Sequence, residues 1–239
     1  VKQAAAHPRE GQVPRRVVLN AVFSMVVTAF LVVPAAADVR MVTTTADSGA
    51  GSLRDAIADA VASDSIEFSI DAAGVQTISV ASALPPIPAG VFINGITQPG
   101  ASCDGQGWPT LMIEIEGSGA PGGTDGLTVS GSDVTVRGLV INRFPGDGVH
   151  VVGASGVRIE CNFVGTDAAG TQGYGNGGVG IRLIGSSDSP IGAYNLISAN
   201  AVAGILIDAT SSDNRLSGNR IGTDGAASNN DLDMFEAMR

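Results

Sequence analysis

Beyond Ala37 this 239-residue chain contains no lysine. Residues 1–37 hold four of the 13 basic residues (Lys2, Arg9, Arg15 and Arg16) and one of the 23 acids (Glu10). The rest therefore carries 9 basic and 22 acidic residues, a net charge of −13. Phosphate backbones require clustered cations, so this body is excluded as a nucleic-acid binder. A lysine base is unavailable for lyase chemistry. His150 is the only histidine beyond residue 37, which excludes histidine-based metal sites. No D-x-D-x-D-G loop, G-G-x-G-x-D repeat, G-x-S-x-G, H-E-x-x-H or paired-cysteine metal spacing occurs. Aromatic residues are only 4% of the chain, too few for a bulky globular core. Glycine contributes 33 residues, without the G-x-y period of collagen.

What is present is a repeat. Gly180-Ile181-Arg182-Leu183 aligns with Gly204-Ile205-Leu206-Ile207 at an offset of 24, and Asn195-Leu196-Ile197 aligns with Asn219-Arg220-Ile221 at the same offset. Asp125-Gly126-Leu127-Thr128-Val129 recurs 22 residues on as Asp147-Gly148-Val149-His150-Val151. Val134-Thr135-Val136-Arg137 recurs 23 on as Val157-Arg158-Ile159-Glu160. Between Val149 and Ile181 the step grows to 32, because the loop opened by Gly165-Thr166-Asp167 is inserted after Asn162-Phe163-Val164. A like loop, Gly222-Thr223-Asp224-Gly225-Ala226-Ala227, follows Ile221, so short and long turns alternate in a unit of 57 residues from Asn162 to Asn219. Short apolar strands with a common period of 20–25 residues predict a solenoid of three strands per turn, each turn paired only with its neighbours. Leu127, Val149, Ile181 and Ile205 should form one inward column, and Val136 with Ile159 another. Glycine and asparagine are assigned to corners that need positive φ.

In chain order, residues 1–37 read as a secretory signal. Arg15-Arg16 closes a basic segment, an apolar run extends from Val17 to Val33, and Pro34 precedes Ala35-Ala36-Ala37. An uncleaved membrane anchor is the weaker reading, since the run is short for a span. Strands are expected over Val39–Thr45, Ile66–Ile70, Val75–Val80, Val91–Ile96 and Leu111–Glu116. A helix is expected over Ser52–Val61, with Ser52 as N-cap, Asp55 completing a capping box, and Leu53, Ile57, Ala60 and Val61 on one face. Leu84-Pro85-Pro86-Ile87-Pro88 reads as a stiff connector and Cys103–Pro109 as a surface loop. The helix is placed to cap the open end of the coil. The domains expected are a signal at 1–37, a cap and first coils at 38–124, repeats at 125–229, and an irregular tail at 230–239 that looks like a truncation.

Thr43-Thr44-Thr45-Ala46-Asp47-Ser48-Gly49 followed by Gly51-Ser52-Leu53-Arg54-Asp55-Ala56-Ile57 resembles the C-S-L-R-E-A-type start of secreted bacterial right-handed parallel β-helix proteins of pectate-lyase-like type. Gly51 stands for the Cys and Asp55 for the Glu. Ile93 to Gly100, Val136 to Phe144 and the two Gly-Thr-Asp loops add to it. The resemblance covers most of residues 39–229. It implies an all-β right-handed parallel β-helix with an N-terminal capping α-helix, and export to the cell surface. It implies no reaction.

The function expected is a secreted or cell-surface module, structural or adhesive, that binds polysaccharide or another cell-surface ligand. The alternative is a polysaccharide lyase or glycoside hydrolase. Asp125 and Asp147, one turn apart, should bring their carboxylates about one strand spacing, ~5 Å, together. Such a pair should raise one carboxyl's pKa or hold a bridging Ca²⁺. His150 and Arg182 align beside them, making these four the candidate catalytic residues, with Asp125 and Asp147 the candidate metal ligands. The bland reading is corner chemistry. Arg137 and Glu160 should pair across turns, and Asn162, Asn195 and Asn219 should form an amide ladder. Export permits a Cys103–Cys161 disulfide, but Cys161 sits near a corner and Cys103 at least one turn earlier, so two separate small fillers are expected. Trp108, Tyr174 and Tyr194 are too scattered to make a sugar platform, and Trp108 should pack on its own loop.

Overall fold

The computed structural model describes residues 37–105 and 107–222, together with Val1. The chain divides into Val1–Pro34 and Ala35–Arg239, and all but Val1 of the first part lies outside the described residues. So do the signal assigned to 1–37, apart from its ends, and the tail beyond Gly222. No helix among the described residues is long and apolar enough to cross a membrane.

Among the described residues, seventeen short strands form three sheets, and every pairing between these strands is parallel. The first sheet runs, in order, Val39–Val42, Ser65–Phe68, Phe92–Asn94, Thr135–Arg137, Arg158–Glu160, Pro190–Gly192 and Arg215–Ser217. The second holds Gln76–Ser79, Ile113–Glu116, Leu139–Asn142, Phe163–Val164, Leu196–Ile197 and Arg220–Ile221. The third holds Leu127–Val129, Val149–Val152, Val179–Ile184 and Ala203–Ile207. From Thr135 onward the chain visits first, second and third sheet in rotation, and each return lands one strand further along. This β-rich, all-parallel arrangement is compatible with a β-helical, solenoid-like coil.

The registers follow the repeat. Leu127 pairs with Val149, Val149 with Ile181 and Ile181 with Ile205, while Val136 pairs with Ile159. All six are buried. A parallel strand alternates its side chains, so one apolar residue in two suffices to fill the inside of the coil. Ile87, in the expected stiff connector, is fully buried and bridges to Val129. The proline-rich segment therefore supplies a one-residue strand of the third sheet, because prolines on both sides leave only Ile87 free to donate, to Thr128 O at 2.8 Å.

The one α-helix among the described residues, Leu53–Asp59, lies between the first two strands of the first sheet, in place of the other two faces of that pass. Ser52 caps it, its hydroxyl accepting from Asp55 N at 3.1 Å. Arg54 fixes it to its surroundings, donating to Asp47 Oδ1 at 2.7 Å and to the carbonyls of Ala83 and Ser82 at 2.6 and 2.9 Å. Leu53, Ile57 and Ala60 are buried, but Val61 is 46% exposed. The helix ends at Asp59, so Val61 leaves the face it was expected to share.

The positive-φ assignment holds for corner glycines such as Gly138, Gly165 and Gly185 but fails for the asparagines. Asn162, Asn195 and Asn219 do not have positive φ; the residues before the first two do, Cys161 and Tyr194, as does Gly218 before the third. Gly148 and Gly180 also have ordinary φ. They are glycine because a Cβ on Gly148 would lie 2.7 Å from the carbonyl oxygen of Gly180, and one on Gly180 2.5 Å from that of Gly204. Close approach of successive coils, not φ, selects them.

The asparagines form the expected ladder. Asn195 Oδ1 accepts from Asn162 N at 2.9 Å, and Asn195 Nδ2 donates to Ile159 O at 2.8 Å and to Asn219 Oδ1 at 2.9 Å. A second ladder, of Asn176 and Asn200, stands at the next corner: Asn176 Nδ2 donates to Asn200 Oδ1 at 2.8 Å, and Asn176 Oδ1 accepts from Phe144 N at 3.0 Å. These amides satisfy buried backbone groups where the strands break, which a buried corner requires.

Candidate functional site

Asp125 and Asp147 occupy the corner leading into the third sheet, each followed by the glycine on which the next coil rests. Thr128, His150 and Arg182 follow on adjacent strands in register, on the outward face. Asp125 Oδ1 accepts from Asp147 N at 2.7 Å, and Asp147 Oδ1 accepts from Val179 N at 2.6 Å. Each carboxylate therefore closes the backbone of the next coil. Each also has its own cationic or donor partner one strand on. Asp125 Oδ2 meets His150 Nδ1 at 3.0 Å. Asp147 receives Arg182 through Nε at Oδ2 and through Nη2 at Oδ1, the latter at 3.1 Å. The hydrogen bond to Asp147 holds the Arg182 guanidinium above its usual pKa.

The four candidate residues are thus brought together. Each carboxylate has its own side-chain neighbour, His150 Nδ1 at Asp125 and the Arg182 guanidinium at Asp147. The side chains of Asp125, His150 and Arg182 are 20–26% exposed and that of Asp147 8%. His150 Nε2 is buried without a hydrogen-bond partner.

Asp125, Asp147 and His150 offer ligand atoms within 4.8 Å of one another. This corrects the exclusion of histidine-based metal sites, which holds only for sites needing several histidines. The donor set suits Ca²⁺ poorly. Asp147 already binds Arg182 and Val179 N, and the third donor is an imidazole, whereas Ca²⁺ takes six to eight oxygens.

The outward face of the second sheet carries a second apolar cluster of Leu111, Val140, Phe163 and Leu196. Trp108 stacks on Phe163 with ring centroids 5.5 Å apart, and Arg220 lies over the Trp108 ring at 4.2 Å. Trp108 therefore packs across coils instead of on its own loop, because the buried Phe163 offers more apolar surface than the short polar loop does. Cys103 and Cys161 are disulfide-bonded, Cα to Cα 6.4 Å. This overturns the expectation of two separate fillers: the loop after Cys103 folds back over the sheet and reaches past the intervening coil, a path that strand alignment cannot reveal. Tyr174 lies against Arg143, 3.8 Å from the guanidinium carbon. Tyr194 places its hydroxyl beside Gly105. The rings have separate partners, as their scatter suggested.

Arg137 and Glu160 approach at 3.8 Å across the first sheet, the ladder pair expected. Sequence reasoning missed Glu114 and Glu116, which alternate with buried Ile113 and Ile115 and so share an outward face. Glu114 accepts from Thr77 Oγ1 at 2.8 Å and Asn142 Nδ2 at 2.7 Å, and Arg143 lies 3.7 Å away. Burial pushes the Glu116 carboxyl up, but hydrogen bonds from Ser118 and Ser79 and the charge of Arg143 hold it below the usual range. The I-E-I-E alternation was the available signal. No protein-family model, curated protein or solved structure matches this chain.

Proposed function

We propose that this chain is a right-handed parallel β-helix module of a secreted or cell-surface bacterial protein, with a structural or adhesive role and a polysaccharide as its ligand. The observation that carries the reading is the use made of the polar corner residues. Asp125 and Asp147 bond the backbone of the following coil, as the asparagine ladders do. Carboxylates fixed in that way hold coils together and are poorly placed to shuttle protons. Right-handedness follows from the strong preference of parallel crossovers. The Cys103–Cys161 disulfide supports an oxidising compartment and hence export. The sequence resemblance of residues 43–57 points the same way.

A second reading, a polysaccharide lyase or glycoside hydrolase, has one observation in its favour. His150 has a carboxylate on Nδ1 and nothing on Nε2, which is how an oriented general base is held. Binding of the purified chain to a glycan array, followed by reducing-end and unsaturated-product assays on each glycan retained, tests both. Retention without cleavage is expected. Cleavage abolished by His150→Ala would overturn the adhesive reading in favour of the enzyme. An array with no retained glycan would overturn polysaccharide recognition.

A further inference from the structure

Eight arginines lie among the described residues, and six are taken. Arg40, Arg54 and Arg182 bond aspartates, Arg137 donates to Cys103 O at 2.8 Å, Arg143 lies between Glu114 and Tyr174, and Arg220 covers Trp108. The other two are held more loosely: Arg158 makes only a 3.9 Å ion pair with Glu160, which Arg137 shares, and Arg215 makes no side-chain bond among the described residues. Both line one surface trough of about 380 Å³, with Pro190, Asp188 and Asp213.

The strand register sets the geometry of this trough. Ile159 pairs with Ile191, and Pro190 pairs with Arg215. Arg158, Pro190 and Arg215 therefore follow one another outward on successive strands of the first sheet. The guanidiniums arise two strand spacings apart, about 10 Å, with the low ring of Pro190 between them. Asp188 and Asp213 stand one coil apart at the adjoining corner, both with positive φ and both exposed. In a body of net charge −13, one loosely paired and one unpaired arginine in the same trough are a local exception. A guanidinium fork matches a carboxylate in a bidentate way.

We propose that this trough binds a linear acidic glycan bearing a carboxylate on every second sugar, a claim that rests on the polysaccharide-binding reading above. The uronate carboxylates sit on Arg158 and Arg215. The neutral sugar between them lies over Pro190, and the carboxylates of Asp188 and Asp213 accept from sugar hydroxyls. A disaccharide repeat is about as long as the two strand steps, ~10 Å, that separate the arginines. A glycan is favoured over an acidic peptide because acceptors stand beside each cation, and sugars present hydroxyl donors next to every carboxylate.

The test is calorimetric titration of the full chain at low salt. The probes are hyaluronan oligosaccharides, the same oligosaccharides with their carboxyls reduced to alcohols, and poly-glutamate. Hyaluronan is expected to bind and the reduced form to fail. Arg158→Ala and Arg215→Ala should each weaken binding about tenfold, and the double variant should abolish it with the far-UV spectrum unchanged. Equal hyaluronan affinity in the double variant and the wild type would overturn the trough, as would equally tight binding of poly-glutamate. Binding of only neutral glycans, unaffected by the double substitution, would overturn the trough and leave the adhesive reading standing. Retention of no glycan at all would overturn the trough and polysaccharide recognition together.

Discussion

Trp108 lies face to face with Phe163, centroid to centroid at 5.5 Å and 25° from parallel, on the outside of the second sheet. The stack closes a small apolar cluster that the coil itself leaves uncovered, and the neighbouring Cys103–Cys161 bridge pins the loop that carries it. Cys103→Ser should free that loop. Loss of a bridge joining residues 58 apart should cost about 2–4 kcal/mol. Trp108 emission should shift to the red below the main unfolding transition. A variant with unchanged emission and unchanged denaturant midpoint would show that the stack holds the loop unaided.

Asn195 receives Asn162 N and donates to Ile159 O in a fully buried corner. Asn195→Ala orphans both groups, each costing about 1–3 kcal/mol. Urea unfolding should show a larger loss for Asn195→Ala than for Asn219→Ala, whose corner is half-open. Equal losses would mean that the ladder contributes nothing beyond shape.

Ile181 sits between Val149 and Ile205 in the third-sheet column. Ile181→Val should cost about 1 kcal/mol. Ile181→Asp places an unpaired charge in that column and should abolish the cooperative melt. A folded Ile181→Asp protein with the parent far-UV spectrum would show the register to be wrong.

Asp208 accepts from Thr210 Oγ1 at 2.6 Å and Ser211 Oγ at 2.7 Å, and these bonds bring its pKa to about 2. The folded value lies below the unfolded one of about 3.9. The stabilisation is therefore complete above about pH 4 and is lost as pH falls through about 2. An NMR titration of the Asp208 carboxyl should show its midpoint there, and Thr210→Val should raise it. A midpoint near the ordinary aspartate value would remove those bonds from the solution structure.

The coil was legible wherever a side chain's role repeats. Val149 and Ile181, or Asn162 and Asn195, occupy the same place in successive coils, and repetition exposes such places without any knowledge of the third dimension. The Asp125–Asp147–His150–Arg182 cluster was legible for the same reason. Its internal bonding was not: whether a corner carboxylate meets its like or a neighbour's backbone N–H depends on a rotation about one bond. The Cys103–Cys161 bridge, the Trp108 stack and the strand role of Ile87 were illegible because each belongs to a segment that occurs once. Gly148 and Gly180 were recognised as corner residues but assigned the wrong cause, since close approach to a neighbouring carbonyl leaves no mark on a single coil's sequence.

The path of the disulfide has a mechanical consequence. Cys103 follows the first-sheet strand Phe92–Asn94, and Cys161 follows Arg158–Glu160, two strands further along that sheet. Tension drawn along the stacking direction is borne elsewhere by hydrogen bonds in series, so coils can be peeled away singly from an end. Within residues 103–161 the covalent link runs parallel to those bonds. Under load, this stretch acts as an inextensible segment, and the coils outside it, before Cys103 and beyond Cys161, are the ones that yield.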